Sequence, residues 1–115
     1  MYNETMKEII FVNKSLESIK SFSIGAKRDT GHQLDRVQRG LEPNNWKPMT
    51  SIGTGAQEIR IKESDGIYRV IYVAKFKEAI YVLHAFNKKT QKTNKRDIDV
   101  AKEAYKQVLE GRKDE

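Results

Sequence analysis

The spacing of hydrophobic positions changes along the chain, and this change predicts where helices and strands lie. A short β-branched run at residues 9–12 is typical of a strand. Behind it, apolar residues at helical spacing predict two helices, the first capped by Ser15 and the second capped by Ser23. Gly40 is suited to end the second helix because glycine adopts the left-handed conformation at little cost. Together these segments predict a helical hairpin with one apolar side.

The middle of the chain predicts a loop followed by three strands. Residues 41–55 contain both prolines and the single tryptophan, Trp46, which we expect to anchor a long loop. Alternation of apolar and charged residues then indicates a hairpin, with its turn at Asp65-Gly66. The predicted strands cover residues 57–62, 67–74 and 80–87.

A final helix is predicted for residues 93–110, where Asn94 can cap it, Asp97 complements its positive end and Gly111 can end it. The complete order is β-α-α-β-β-β-α, an α+β fold. We expect a small antiparallel sheet with helices packed on one face and the other face free. Residues 1–115 are expected to form a single domain.

Charge and composition narrow the classes of partner and chemistry. Among 115 residues, Lys and Arg total 22 against 16 for Asp and Glu, a net charge of +6. This surplus favours nucleic acid, an anionic membrane surface or an acidic protein as partner. Cysteine is absent, which excludes disulfides, thiolate catalysis and Cys-based zinc sites.

The sequence offers no cofactor motif. It has two histidines without metal-ligand spacing, and it has no phosphate-binding glycine loop, so we expect neither metal nor cofactor. No stretch is long and apolar enough to span a bilayer, and the first residues lack the layout of a secretory signal. We therefore expect a soluble, cytoplasmic protein that does not engage membranes.

The predicted hairpin gathers charge on one side. Side chains alternate along a strand, so Arg60, Lys62 and Arg69 share a face with Glu58, opposite the apolar residues. In the predicted register Lys62 opposes Arg69, and opposed like charges cost stability. An anion-binding surface would explain such a pair. A solvated strand face without function is the alternative.

A basic segment follows the third strand. Residues 88–96 contain five cations and no acid, although cations oppose the dipole at the start of a helix. A bound phosphate would relieve that conflict. An exposed loop that serves solubility is the alternative. The candidate phosphate-binding residues are Lys62, Lys88, Lys92, Lys95 and Arg96.

His84 lies inside the third strand, where it is either a half-buried structural residue or an acid or base. Strand alternation places it on one face with Phe86 and Lys88, whereas Lys89 points to the other face. Which of the two lysines faces the arginines depends on the strand register, and both remain candidates. His32, on the polar side of the second helix, is assigned no role.

From Lys47 onward the chain contains E-I-R followed by Y-R-V-I-Y, and then L-H-A-F-N-K-K-T-Q-K-T. These segments begin at Glu58, Tyr68 and Leu83. The order of residues in this part of the chain resembles the phage-derived, HigB-like branch of the RelE/ParE toxin superfamily. The resemblance covers most of the chain.

The resemblance implies the toxin of a type II toxin–antitoxin pair, with a RelE-like fold. Such a toxin cuts mRNA on the ribosome without metal and is silenced by an antitoxin, in HigB systems a helix-turn-helix protein. Arg60 and Arg69 are then the expected transition-state stabilisers. Glu58 is the expected base and His84 the alternative base or acid, with Lys88 or Lys89 at the strand end.

Two other functions compete with this one. A non-catalytic relative could bind RNA or an antitoxin without cutting. A ParE-like inhibitor of gyrase could share the fold, since fold does not determine function.

Overall fold

The computed structural model describes residues 6–88 and 93–113, and within them it contains five strands and three helices. The strands are β1 (Glu8–Phe11), β2 (Trp46–Pro48), β3 (Ala56–Glu63), β4 (Gly66–Val73) and β5 (Ala79–Lys88). The helices are α1 (Ser15–Lys20), α2 (Ile24–Gln38) and α3 (Lys95–Lys113). The α+β class is confirmed, and β2 is added to the predicted order.

All five strands form one sheet in the order β1-β5-β4-β3-β2. Neighbouring strands are antiparallel except at one edge, where β1 runs parallel to β5 with Ile9 opposite Ile80. The sheet is therefore mixed, and the prediction of an antiparallel sheet is wrong at this edge. Because β1 and β5 are far apart in sequence, no local turn signal determines the direction of their pairing.

Helices cover both faces of the sheet, so the prediction that they pack on one face is wrong. On one face, here termed the α2 face, α1 and α2 pack against β3, β4, β5 and partly buried residues of β1. On the other, the α3 face, the apolar stripe of α3 packs against alternate residues of the same strands. The α3-face core includes Ile71, Val73, Leu83, Ala101, Ala104, Tyr105 and Val108. The stripe on α3 and these strand residues bury each other, which stabilises the fold by removing apolar surface from water.

The loop at residues 41–55 is held differently from the prediction. Trp46 is half-buried and forms the start of β2, opposite Ile59. Met49 and Ile52 are the loop residues that enter the α3-face core. They anchor the loop because their side chains are buried, whereas the backbone pairing of β2 needs no particular side chain.

The β3–β4 hairpin turns at Ser64-Asp65, with Glu63 opposite Gly66, rather than at Asp65-Gly66. The Tyr68 hydroxyl donates to the Asp65 carboxylate at 2.6 Å, which fixes Asp65 inside the turn. The pairing is thereby displaced by two residues from the prediction. A displacement of two leaves every side chain on its predicted face, because strand side chains alternate with a period of two.

Local capping signals are confirmed at two helix starts and wrong at α1, where Ser15 lies inside the helix and its hydroxyl donates to the Val82 carbonyl at 3.2 Å. The Ser23 hydroxyl accepts a hydrogen bond from Ala26 N–H at 3.2 Å, and Asn94 Oδ1 accepts one from Asp97 N–H at 2.9 Å. At its other end α3 continues through Gly111 to Lys113, so glycine does not end it. Over the described residues, none of the helices is both long and apolar enough to cross a membrane.

We expect Gly66→Ala to destabilise the fold. Gly66 has φ of +140°, and a Cβ there would collide with the Asn87 side chain and lie 3.2 Å from the Lys88 carbonyl oxygen. The free energy of unfolding should fall by about 1–3 kcal/mol in urea denaturation followed by circular dichroism. The matched control is Gly31→Ala in α2, where a Cβ meets nothing within 4 Å. It should leave stability unchanged or raise it by up to ~1 kcal/mol, and equal stability of the two variants would show that position 66 does not require glycine.

Candidate active site on the α3 face

Three rows of side chains cross the sheet on the α3 face near the β3–β4 turn. Each row takes one residue from β3, one from β4 and one from β5. The rows are Glu58–Ile71–His84, Arg60–Arg69–Phe86 and Lys62–Ile67–Lys88. We term these nine residues the patch. As predicted, Glu58, Arg60, Lys62 and Arg69 share a face, and Lys88 lies on the same face.

The centre of the patch is a buried ion cluster. Glu58 and Arg69 have no exposed surface, and Glu58 Oε1 lies 3.1 Å from Arg69 Nη1 and 3.5 Å from Arg60 Nε. Glu58 Oε2 accepts a hydrogen bond of 2.6 Å from the Thr93 hydroxyl. Both oxygens of this carboxylate are therefore engaged by groups of the protein itself.

Glu58 allows two arginines to face each other. Arg60 and Arg69 lie directly opposite across β3 and β4, an arrangement that is repulsive by itself. One carboxylate in contact with both guanidinium groups offsets that repulsion and the cost of burying the charges. Arg69 is fully enclosed, whereas 22% of the Arg60 side chain is exposed. Arg60 is thus the guanidinium of this cluster that can meet a ligand in solvent.

A second polar cluster lies at the β5 side of the patch. His84 Nε2 is 2.7 Å from Asp97 Oδ1, and Lys88 Nζ is 3.6 Å from Asp97 Oδ2. The His84 ring stacks on Phe86, with centroids 5.0 Å apart and planes inclined by 24°. Leu83 is the extra residue of a bulge between β4 and β5, so His84 follows an irregularity in the strand. Bulges are frequent beside active sites because they redirect a side chain.

A cleft of about 430 Å³ runs beside this cluster, between α1 and the start of α3. β1 pairs with β5 only as far as Val82, so the later part of β5 borders this cleft. Its polar lining includes Ser18, Ser21, His84, Lys88, Arg96 and Asp97. It therefore offers cations, hydroxyls and one imidazole to a ligand.

The other cations predicted to bind phosphate differ in their partners and in their distance from the cleft. Lys62 and Arg96 are exposed, the first at the end of the patch and the second beside the cleft. Lys95 is exposed and bound to Asp99 at 2.8 Å, a hydrogen bond that raises the pKa of Lys95 and lowers that of Asp99. Lys95 does not line the cleft. Lys89 and Lys92 lie outside the described residues.

Two residues of the site are not predicted as functional by the sequence. Thr93 holds Glu58, and Asp97 holds His84, each across a long sequence separation. The sequence indicates Asp97 only as a complement to the helix dipole. Asp97 lies in the first turn of α3, after the capping Asn94. This position in the sequence is what indicates that its carboxylate points toward the ends of the strands.

A second cleft of similar volume lies on the α2 face at the other end of the sheet, where β3 begins. Its phenol, Tyr72, donates a hydrogen bond to the Gln57 side chain. Burial, and secondarily the charge of Glu42, raises the pKa of the Tyr72 hydroxyl, which keeps it protonated. The Lys7 ammonium there donates to backbone carbonyls. This cleft offers structural polar groups, and the patch remains the better candidate for chemistry.

Metal ligands do not cluster in the described part of the chain: no three His, Asp or Glu side chains there could hold one ion.

The sequence matches one family of known proteins. A family model described as phage-derived protein Gp49-like (DUF891) matches residues 17–106. The chain therefore belongs to the Gp49-like family of phage-derived proteins. A search of curated proteins gives no match.

We expect Glu58→Gln to be strongly destabilising. The variant keeps the shape of the side chain but leaves the buried Arg69 charge without its carboxylate. Loss of one partner of a buried pair costs about 3–5 kcal/mol in the free energy of unfolding. Asp35→Asn, which breaks the exposed Asp35–Arg39 pair, is the control and should cost less than ~1 kcal/mol. Equal denaturation midpoints for both variants would show that the buried pair is not stabilising.

Proposed function

We propose that this Gp49-like protein is the toxin of a type II toxin–antitoxin system and cleaves mRNA on the ribosome. Its membership of a phage-derived family and its resemblance to HigB-like toxins support this class of function. The observation that carries the proposal is the patch. It gathers two arginines, two lysines and a histidine on one half of a sheet face, beside an open cleft.

The proposed reaction is an internal transfer at one phosphate of the RNA. The ribose 2′-oxygen attacks the adjacent phosphorus and loses its proton to a base. The bond from phosphorus to the 5′-oxygen breaks, and that oxygen takes a proton from an acid. The products are a 2′,3′-cyclic phosphate and a 5′-hydroxyl, so the step needs neither metal nor cofactor.

Arg60 and Lys88 are the proposed contacts to the phosphoryl oxygens. Negative charge grows on these oxygens in the transition state, and cations that are already in place stabilise it without reorganisation. The buried Arg69 adds to the positive electrostatic potential at the phosphate and, with Glu58, holds Arg60 in position. Arg69 is therefore proposed to act through Arg60.

His84 is the proposed proton-transfer residue. The sequence favours Glu58 as the base, but both Glu58 oxygens are bound within the protein and fully enclosed. A base must reach the proton that it removes. His84 is 16% exposed and lines the cleft, which makes it the better candidate of the two.

The proposed substrate path follows the cleft along β5. Arg96 and Lys88 offer cations to the sugar–phosphate chain, and Ser18 of α1 and Ser21, the residue after it, offer hydroxyls on the far wall. Lys62 extends the basic surface beyond the patch. Lys92 and Lys95 stay candidates for phosphate contacts nearby. The proposed partners are mRNA on the ribosome and a helix-turn-helix antitoxin that silences the toxin.

We expect Arg60→Ala to relieve growth inhibition when the protein is expressed from an inducible promoter. Loss of one stabilising cation should lower cleavage by about 10²- to 10³-fold, as for other lost donors to a developing anion. Mapping of mRNA 5′ ends after induction measures the cleavage directly.

Arg28→Ala is the matched control for this experiment. Arg28 is an exposed arginine on α2, away from the α3 face, so its loss should leave toxicity and cleavage intact. Circular dichroism of both variants establishes that they are folded. Full toxicity of Arg60→Ala would contradict the proposed site.

A non-catalytic binding function is the second candidate, and the complete burial of Glu58 and Arg69 favours it. Such a protein would use the same basic surface to hold RNA or an antitoxin. Intact mRNA after induction, together with retained RNA binding, would support binding over cleavage.

We expect Arg96→Ala to weaken RNA binding and to reduce its dependence on salt. Each phosphate contact to a single strand contributes about 0.7 to the slope of log K against log salt concentration. Fluorescence anisotropy with a labelled single-stranded oligoribonucleotide should show the slope falling by about that amount. Arg28→Ala should leave it unchanged, and an unchanged slope in Arg96→Ala would remove Arg96 from the proposed path.

A further inference from the structure

His84 and Asp97 form a close pair where α3 begins above β5. The distance of 2.7 Å between Nε2 and Oδ1 is that of a strong hydrogen bond, and both side chains are largely buried. Asp97 lies in the first turn of α3, whose capping residue Asn94 accepts from its N–H. The positive end of the helix dipole favours a negative charge at this position.

The imidazole is held on a second side as well. Phe86 stacks on its ring, and the bulge at Leu83 sets the direction in which the side chain leaves the strand. A ring held by a carboxylate at its edge and by an aromatic ring at its face has little freedom to turn. The geometry therefore determines which nitrogen faces Asp97.

That orientation determines where the proton sits. A carboxylate only accepts hydrogen bonds, so Nε2 must carry the hydrogen that Asp97 receives. In the neutral ring the basic lone pair then lies on Nδ1. The choice between the two tautomers of a histidine is set in this way by the partner of one nitrogen.

We propose that Asp97 is a positioning residue that fixes the Nε2–H tautomer of His84, so that Nδ1 is the nitrogen that exchanges protons with the substrate. The catalytic consequence rests on the proposed function. The hydrogen bond and the tautomer do not, because they belong to the free protein.

A simple structural tie between α3 and β5 would explain the contact less completely. A structural hydrogen bond needs only some donor, whereas the donor here is a histidine, the residue type that most often transfers protons in enzymes. It also lines the cleft that contains Lys88 and Arg96. A structural contact to the same carboxylate would fix the same tautomer but would not affect proton transfer, so the cleavage rate of a variant at Asp97 separates the two explanations.

The test is nitrogen-15 NMR of the two imidazoles in the full-length protein without RNA. The chain has just two histidines, and exposed His32 serves as an internal reference for a ring that averages both tautomers. For the neutral ring of His84, we expect Nε2 to show the shift of a protonated nitrogen and Nδ1 that of an unprotonated one. Averaged shifts for His84 in the wild-type protein would overturn the proposal, whatever any variant does.

Asp97→Asn should reverse this pattern. Lys88 lies beside Asp97 Oδ2 and will attract the amide oxygen, which turns the amide NH₂ toward His84. Nε2 then accepts a hydrogen bond, and the hydrogen moves to Nδ1. The matched control is Asp99→Asn, two residues along the same helix, where the exposed carboxylate binds Lys95. The proposal is wrong if Asp97→Asn leaves the His84 shifts as they are in the wild type.

Cleavage measurements then separate this proposal from the proposed function. In a ribosome-programmed assay, Asp97→Asn should lower the cleavage rate at least about tenfold, within the ~10²- to ~10⁴-fold that general acid–base catalysis contributes. Asp99→Asn should keep the full rate. Absence of cleavage by the wild-type protein counts against the proposed function alone, whereas a full rate with a reversed tautomer counts against the role of Asp97.

Discussion

The contact between the Glu58 carboxylate and the Arg69 guanidinium determines how the α3 face is organised. It buries two opposite charges in the middle of the sheet and allows a second arginine, Arg60, to lie directly opposite Arg69. Through Thr93 the same carboxylate ties the segment before α3 to β3. Thr93 lies two residues before α3 begins, so this hydrogen bond adds to the apolar packing that positions the helix on this face.

Much of the fold could be predicted because the patterns that specify it are local. The period of two along β3 assigns each side chain to a face, and a turn misplaced by one residue, which displaces the strand pairing by two, does not change that assignment. The direction of β1 is determined by its pairing with β5, which is distant in sequence, so no local pattern predicts it. The second helical layer was predictable, because residues 67–73 are apolar almost without interruption, which is typical of a strand covered on both faces.

The candidate site was predictable in residue type and face but not in exposure. Glu58 shares a face with the arginines as expected, yet its burial depends on Thr93, which is 35 positions further along the chain. His84 likewise takes its orientation from Asp97 on a different element. Contacts of this kind depend on the path of the segment between β5 and α3, which no periodicity in the sequence describes.

Burial assigns different chemistry to the two carboxylates of this region. Glu58 is enclosed with both oxygens bound by groups of the protein, so neither oxygen can reach a substrate. Asp97 lies at the edge of a cleft and binds a ring that has a second nitrogen available for exchange. The contacts of the two carboxylates therefore differ: Glu58 holds the two arginines, whereas Asp97 orients the imidazole that we propose as the base. Because Thr93 binds Glu58 and Asp97 binds His84, the segment at the start of α3 connects the two polar clusters.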